Sequence, residues 1–231
     1  MSVREVIRFF YTTIFPLMVR QRVEVLVKGP YHKVYDDKKF IFIHIPKTAG
    51  KSIASLLGVR GARHLMYMQY KEIIGKSIDS YYIFTVVRDP VDRLISAYNY
   101  LSDGGNNSAE DRAFRKKWLA SCKSFEDFVV NVLGKEEVFG SIFFRPQVDF
   151  IWNELEEKPD NINIIYYEKL SEGVASLPDN ISPNNKSVPH INKSRACHVK
   201  NVSNDVIFLI YEFYKNDYSF FGYEMKGMDG W

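Results

Sequence analysis

The sequence predicts an α/β fold with a mostly parallel β-sheet flanked by helices. Three apolar segments support it, at residues 40–45, 81–87 and 163–167, each rich in β-branched and aromatic side chains. Apolar runs of this length are typical of parallel strands that are covered on both faces. A helical pattern follows each of the first two runs, and strands that alternate with helices favour right-handed crossovers within one sheet.

Length and composition predict one soluble domain over residues 1–231, with its core at about 40–223 and an N-terminal helix and extension at 1–39. The chain is 46% hydrophobic and 15% aromatic, which is ordinary for a globular protein with a sizeable core. Its 31 basic and 28 acidic residues are too balanced to indicate nucleic acid as a partner. Cys122 and Cys197 show no metal or redox spacing, so we expect free thiols in a reducing, cytoplasmic compartment.

An apolar run at residues 9–19 lies between arginines near the N-terminus. It is too short to span a bilayer, and no small-residue cleavage site follows it, so we expect neither a transmembrane helix nor a signal peptide. Two interpretations remain: a helix packed on the domain, or a peripheral membrane contact through residues 6–19. Alternating valines within residues 22–35 then predict a short strand that ends before Gly29 and Pro30.

The turn after the first predicted strand has the features of an anion site. Pro46 ends the strand, residues 48–50 are small, and a helical pattern begins at Ser52. A strand, a tight turn and a helix start leave main-chain N–H groups pointing at the turn. Lys47 and Lys51 add positive charge there, so the sequence predicts binding of a phosphate or sulfate group.

A nucleotide-binding P-loop is the first comparison for this turn. Gly50, Lys51 and Ser52 match the last three positions of GxxxxGK[ST], but the first glycine of that pattern falls on Ile45. The phosphate-wrapping turn of an ATPase is therefore not encoded. A small-molecule kinase that uses Lys51 and Ser52 with magnesium stays an alternative, although it gives no role to the arginine that ends the second strand.

That arginine, Arg88, comes directly before a strong helix start. Asp89 is a suitable N-cap and Pro90 occupies the first helical position. Arg88 should therefore lie at the carboxyl edge of the sheet, where open α/β sheets bind ligands, with Ser96 two turns along the helix. The alternative role for Arg88 is an ion pair with a neighbouring aspartate.

Both segments resemble motifs of one family. Residues 44–50, HIPKTAG, resemble the 5′-phosphosulfate loop of carbohydrate, Golgi-type sulfotransferases that use 3′-phosphoadenosine 5′-phosphosulfate (PAPS), with Lys51 in place of the usual threonine. Residues 87–98 resemble the family's 3′-phosphate motif, VRDPxxRxxSxY, at every fixed position. Shorter likenesses occur at residues 146–151, at residues 190–194 (HxNxS) and near residue 217. The resemblance implies a P-loop NTPase-like sulfotransferase fold.

The resemblance also implies a division of roles. It implies a sulfuryl transfer from PAPS to a hydroxyl acceptor, expected to be a carbohydrate, without a metal. Arg88 and Ser96 would bind the 3′-phosphate, and Lys193 would add charge near the phosphates. Arg145 and Gln147 would lie beside the acceptor, although an exposed arginine is an equal interpretation of Arg145. The 5′-phosphosulfate would be held by the catalytic Lys47 together with Thr48, Ala49, Gly50, Lys51 and Ser52.

His64 is the candidate for the catalytic base. An imidazole is the simplest base near neutral pH, and the chain has five histidines. His64 follows the first helix, where related carbohydrate sulfotransferases place a histidine base. A histidine in a surface linker is the alternative interpretation. An inactive nucleotide-binding module also stays open as a function, because residues alone do not establish turnover.

Overall fold

The computed structural model describes residues 32–59, 63–152, 159–181, 199 and 202–225. The N-terminal apolar run, the HxNxS segment with Lys193, and Cys197 lie outside the described residues. The short strand expected before Gly29 and Pro30 also lies outside the described residues, and the segment after it, Lys33–Lys38, is a helix in which only Tyr35 is buried.

Three parallel strands form the sheet: β1 (Phe40–Ile43), β2 (Tyr82–Val87) and β3 (Ile162–Tyr166). Their order is β1-β2-β3, with Phe42 opposite Phe84 and Val87 opposite Tyr166. The predicted α/β fold with a parallel sheet is confirmed. Because parallel strands all end at the same edge, the segments that follow the three strands meet there.

Helices and single turns connect and cover the strands. In chain order the helices are α1 (Lys33–Lys38), α2 (Gly50–Leu56), α3 (Tyr67–Ile74), α4 (Pro90–Ser102), α5 (Ala109–Phe114), α6 (Phe125–Asn131), α7 (Glu136–Phe139), α8 (Leu170–Ala175) and α9 (Asn204–Phe221). Within the described ranges, no helix is both long and apolar enough to cross a membrane.

Two apolar clusters hold these elements together. The first surrounds the sheet, where every residue of β1 is fully buried, as its continuous apolar sequence predicts. The second lies between α4, α6 and α9 and includes Leu94, Phe128 and Ile210. The helix that follows β2 therefore packs against α6 and α9.

The start of α4 forms as its sequence predicts. Asp89 is the N-cap, and its carboxylate accepts a hydrogen bond from the N–H of Asp92 at 3.0 Å. Pro90 is the first helical residue, and Leu94 and Leu101 lie on the buried side of the helix. Cap and proline together fix where β2 ends, and so they fix Arg88 at the carboxyl edge of the sheet.

Candidate functional site

The loop between β1 and α2, residues 44–49, has a strained backbone. Lys47 and Ala49 have φ angles of 72° and 67°, in the left-handed region that side chains with a Cβ rarely adopt. Strain of this kind costs roughly 1–3 kcal/mol per residue and concentrates at functional sites. The buried Thr48 hydroxyl donates to the carbonyl of Ile45 at 2.9 Å, which braces the turn from inside.

This backbone leaves a row of main-chain donors open. The N–H of Ser52 donates to the carbonyl of Ala49 at 2.9 Å, and the N–H of Ile53 donates to the same carbonyl at 3.2 Å. The N–H groups of residues 48–51 form no hydrogen bond to any part of the chain that the structure describes. Successive N–H groups in such a turn form a concave site for an anion. Four donors, at residues 48–51, are therefore available, and the fifth expected donor, Ser52, is already engaged.

Gly50 is required by the close approach of His44. A Cβ at position 50 would lie 1.8 Å from Cδ2 and 1.9 Å from Nε2 of the His44 ring. That ring is buried and packs at 4.3 Å, centroid to centroid, from the ring of His64. The glycine of the motif at position 50 is thus explained by the close approach of the His44 side chain, which belongs to the same loop.

His64 is held at this loop by a hydrogen bond to its backbone. Its Nδ1 lies 2.9 Å from the carbonyl oxygen of His44. Because a carbonyl oxygen only accepts, Nδ1 carries the hydrogen, and Nε2 has a free lone pair in the neutral ring. Burial lowers the pKa of His64, the bond to His44 opposes this shift, and the charge of Lys51 adds to it. The imidazole is therefore neutral at pH 7 and able to accept a proton.

Lys47 lies against an aromatic face. Its Nζ is 4.1 Å from the ring centroid of Tyr100, on α4. Burial, together with the charges of Lys51 and Arg88, which act in the same direction, lowers the pKa of Lys47 to about 8. The ammonium is still mainly protonated at neutral pH, and an anionic ligand would offset both effects.

Arg88 reaches the same loop from the end of β2. Its Nη1 lies 3.5 Å from the carbonyl oxygen of Lys47, and its guanidinium carbon lies 4.4 Å above the ring of Tyr167, which follows β3. Its Nε is buried and has no hydrogen-bond partner among the described residues. Ser96 is half-buried on α4. Arg88 thus presents a donor that the protein itself leaves unused.

The two residues expected at the acceptor lie in different settings. Arg145 is half-buried; its Nη2 donates to the carbonyl of Gly140 at 2.8 Å, and its Nη1 lies 3.5 Å from the sulfur of Met66, two residues after His64. Gln147 is fully buried, and its side-chain amide is bonded to the main chain of Arg88. Arg145 faces the His64 side of the site, whereas Gln147 lies behind Arg88.

Several residues at the site carried no signal in the sequence. Tyr100 and Tyr167 provide the aromatic faces, and Asn106 accepts a hydrogen bond from Nζ of Lys51 at 3.0 Å. The N–H of Asn106 donates to Asp111 at 2.9 Å, and the hydroxyl of Tyr100 donates to the same carboxylate oxygen at 3.3 Å. The tyrosines are ordinary core residues by pattern, and only the fold brings them to the lysines.

The described residues around Lys47, Lys51 and Arg88 include neither a metal site nor an ion-pair partner. Within the described residues, no three histidine, cysteine, aspartate or glutamate side chains are grouped so that they could hold a metal ion. No carboxylate of that part of the chain forms an ion pair with Lys47, Lys51 or Arg88. The edge therefore has a local excess of positive charge, which suits an anionic ligand.

One known protein family matches most of the chain. The family model described as the sulfotransferase family matches residues 31–224. The chain belongs to the sulfotransferase family. Comparisons with curated proteins and with solved structures give no significant match. Membership in this family confirms the resemblance in the sequence and supports transfer of a sulfuryl group to a hydroxyl-bearing acceptor.

The fit between Gly50 and His44 in this sulfotransferase gives a first prediction. Gly50→Ala forces the His44 ring to move, and overpacking of this kind destabilises by roughly 1–3 kcal/mol. We expect a lower free energy of unfolding in urea. Ala49→Gly is the matched control, because it relieves a left-handed φ, and it should change that free energy by less than about 1 kcal/mol. Equal effects of the two changes would contradict the proposed contact.

Proposed function

We propose that this protein transfers a sulfuryl group from PAPS to a hydroxyl of an acceptor, with a carbohydrate as the acceptor class and adenosine 3′,5′-bisphosphate as the product. The observation that carries the proposal is the meeting of Lys47, Arg88 and His64 at the carboxyl edge of the sheet. Membership in the sulfotransferase family supports the reaction type. The donor PAPS and the carbohydrate acceptor rest on the resemblance of the two motifs.

The groups at the edge fit the two ends of such a donor. The open N–H groups of residues 48–51 and the ammonium of Lys47 suit the 5′-phosphosulfate, since charge-assisted hydrogen bonds are the strong ones. Arg88, with its unused Nε, and Ser96 suit a 3′-phosphate. Lys51 adds a second cation where the family usually has a hydroxyl. Lys193, which lies outside the described residues, stays a predicted contact.

His64 suits the proton transfer that this chemistry needs. The acceptor oxygen forms a bond to sulfur, the bond from sulfur to the 5′-phosphate oxygen breaks, and the acceptor loses its proton. Nε2 of His64 would take that proton, because Nδ1 is already bonded to the carbonyl of His44. Lys47 would stabilise the charge that develops on the leaving phosphate oxygen. Each requirement of the reaction thus has a residue of this chain.

A binding experiment separates the proposal from its alternatives. Calorimetric titration with adenosine 3′,5′-bisphosphate should show tight binding, whereas ATP with magnesium should bind weakly. The reverse preference would favour a small-molecule kinase. Turnover is then tested by incubating the protein with PAPS and a panel of polysaccharides, and by measuring release of adenosine 3′,5′-bisphosphate. Tight binding without release on any hydroxyl acceptor would favour an inactive nucleotide-binding module.

Arg88 should determine selectivity for the 3′-phosphate. Arg88→Ala removes a charge-assisted hydrogen bond, so binding of adenosine 3′,5′-bisphosphate should weaken by roughly 1.5–3 kcal/mol. Adenosine 5′-phosphate lacks the group that Arg88 contacts, and its affinity should change little. Calorimetry with both nucleotides measures the difference. Equal losses for the two nucleotides would remove Arg88 from this role.

The two lysines of the loop should differ in importance. Lys47→Ala removes a donor to the leaving oxygen and should lower kcat by about a hundredfold or more. Lys51→Thr restores the usual family residue and should be tolerated. Lys51 is exposed and Lys47 is half-buried, which agrees with this ranking. A larger loss from the Lys51 change would support the kinase interpretation instead.

The lowered pKa of Lys47, about 8 in the free protein, adds a dependence on pH. Above that pH the ammonium loses its proton and its charge, so affinity for adenosine 3′,5′-bisphosphate should fall as pH rises through about 8. Calorimetric titrations from pH 6.5 to 9.5 measure this fall in affinity. Near pH 9.5 roughly one proton should be taken up when the nucleotide binds, because Lys47 is deprotonated in the free protein and protonated in the complex. Lys47→Met should lack this fall, and its persistence in that variant would assign it to another group.

His64 should be needed for transfer and not for nucleotide binding. His64→Ala should cut sulfuryl transfer by roughly 10²–10⁴, the usual range for general acid–base catalysis, while affinity for adenosine 3′,5′-bisphosphate stays within about twofold. Since burial lowers the pKa of His64, kcat/KM should rise with pH through a midpoint that lies below the pKa of an ordinary imidazole. Transfer within a few-fold of the unaltered protein at pH 7 would show that His64 is not the base.

A further inference from the structure

The side chain of Gln147 forms two hydrogen bonds with the main chain of Arg88. The N–H of Arg88 donates to Oε1 of Gln147 at 3.0 Å, and Nε2 of Gln147 donates to the carbonyl of Arg88 at 2.8 Å. These two residues are 59 positions apart in the chain. A side-chain amide here makes the same pair of bonds that a neighbouring strand would make with a strand residue. The backbone of Arg88, the first residue after β2, is therefore fixed although the pairing of β2 with β3 ends at Val87.

Asp217, on α9, fixes the orientation of that amide. Its Oδ2 accepts from the N–H of Gln147 at 2.9 Å and from Nε2 of Gln147 at 3.3 Å, and its Oδ1 accepts from the N–H of Val148 at 2.9 Å. Asp217 and Gln147 have no exposed surface. Because only the Nε2 end of the amide can donate to a carboxylate, Asp217 excludes the flipped amide, which would place Nε2 against the N–H of Arg88.

Burial raises the pKa of Asp217, and its hydrogen bonds and Arg93 offset this only in part, so that the pKa is about 6. The carboxylate is therefore ionised at pH 7.5 and keeps its three acceptor bonds. A buried carboxylate is costly, and loss of a partner leaves an uncompensated charge or donor. Such an arrangement holds one geometry strongly, since each alternative leaves buried polar groups unpaired.

The backbone of the next residue, Asp89, is held by a different side chain. The N–H of Asp89 donates to Oε1 of Glu168 at 2.9 Å, and the hydroxyl of Tyr223 donates to Oε2 of the same carboxylate at 3.1 Å. Gln147 thus fixes the backbone of Arg88, and Glu168 fixes the backbone of the residue after it. The direction in which its side chain leaves the sheet, over the ring of Tyr167, follows from this backbone placement.

We infer that Gln147 and Asp217 are positioning residues that set selectivity for the 3′-phosphate by fixing the backbone of Arg88. The inference rests on the proposed function and revises the expectation that Gln147 contacts the acceptor. Neither residue would touch the nucleotide. Loosening either one should let the guanidinium move away from the 3′-phosphate while leaving the β1–α2 loop, and hence binding of the 5′-phosphate, in place.

The test compares two nucleotides by calorimetry at pH 7.5. Gln147→Met keeps the length of the side chain and removes both bonds to Arg88. Affinity for adenosine 3′,5′-bisphosphate should fall about tenfold, and affinity for adenosine 5′-phosphate should change less than twofold. Ile151→Ala is the control, because Ile151 is also buried but its apolar side chain forms no hydrogen bond with Arg88, and it should leave the ratio of the two affinities unchanged. Equal weakening of both nucleotides by Gln147→Met would indicate a merely structural role and overturn the inference.

A double-mutant cycle gives the second measurement. In an Arg88→Ala background, Gln147→Met should cause no further loss of selectivity, because its effect acts through Arg88. Asp217→Asn, which keeps the shape but loses one acceptor, should reduce selectivity in the same direction and covers the case in which Gln147→Met does not fold. Selectivity that survives in both variants would overturn the inference alone. An unaltered protein that does not prefer the bisphosphate would overturn the proposed function as well.

Discussion

The site depends on how the protein holds three cations together without neutralising them. Lys47 and Arg88 each lie against a tyrosine ring, and Lys51 donates to a neutral amide. An aromatic face stabilises a cation by roughly 0.5–2 kcal/mol, yet it leaves the charge available to an anion, which a carboxylate would not. The pKa of Lys47 is lowered first by burial and then by the nearby charges of Lys51 and Arg88. The edge of the sheet is thus prepared for a ligand that carries several negative charges.

One turn places both the anion site and the candidate base. The backbone of the β1–α2 loop directs its N–H groups to one side, and the carbonyl of His44, in the same loop, accepts from His64. The distance between the candidate base and the open N–H groups therefore depends on a few torsion angles of one short segment. The contact of His44 with Gly50 couples these angles further, because the ring fills the space in which a side chain would otherwise stand.

Most of the fold was predicted from local patterns in the sequence. The three apolar runs predicted the strands, and Asp89 with Pro90 predicted the start of α4, because both depend on interactions between near neighbours. The turn between β1 and α2 was predicted for the same reason. The helix at Lys33–Lys38 was missed, since its six residues make too short a pattern. Tyr100 and Tyr167 had no local signal, and the likeness near residue 217 gave no role to Asp217, because the partners of all three lie dozens of residues away and only the packing of the sheet and helices brings them together.

Arg93 has a consequence for how such a protein can be re-engineered. It is 1% exposed, and it donates from Nε to the carbonyl of Pro46 at 3.1 Å and from Nη1 to the carbonyl of Arg145 at 2.9 Å. The β1–α2 loop and the segment that begins at Arg145 are thus both bonded to one side chain. In a chimera that exchanges only the second segment for that of another protein, a shift of the carbonyl of residue 145 would move Arg93 and, through it, the loop. The two segments are therefore best exchanged together, or kept while side chains on the existing backbone are changed.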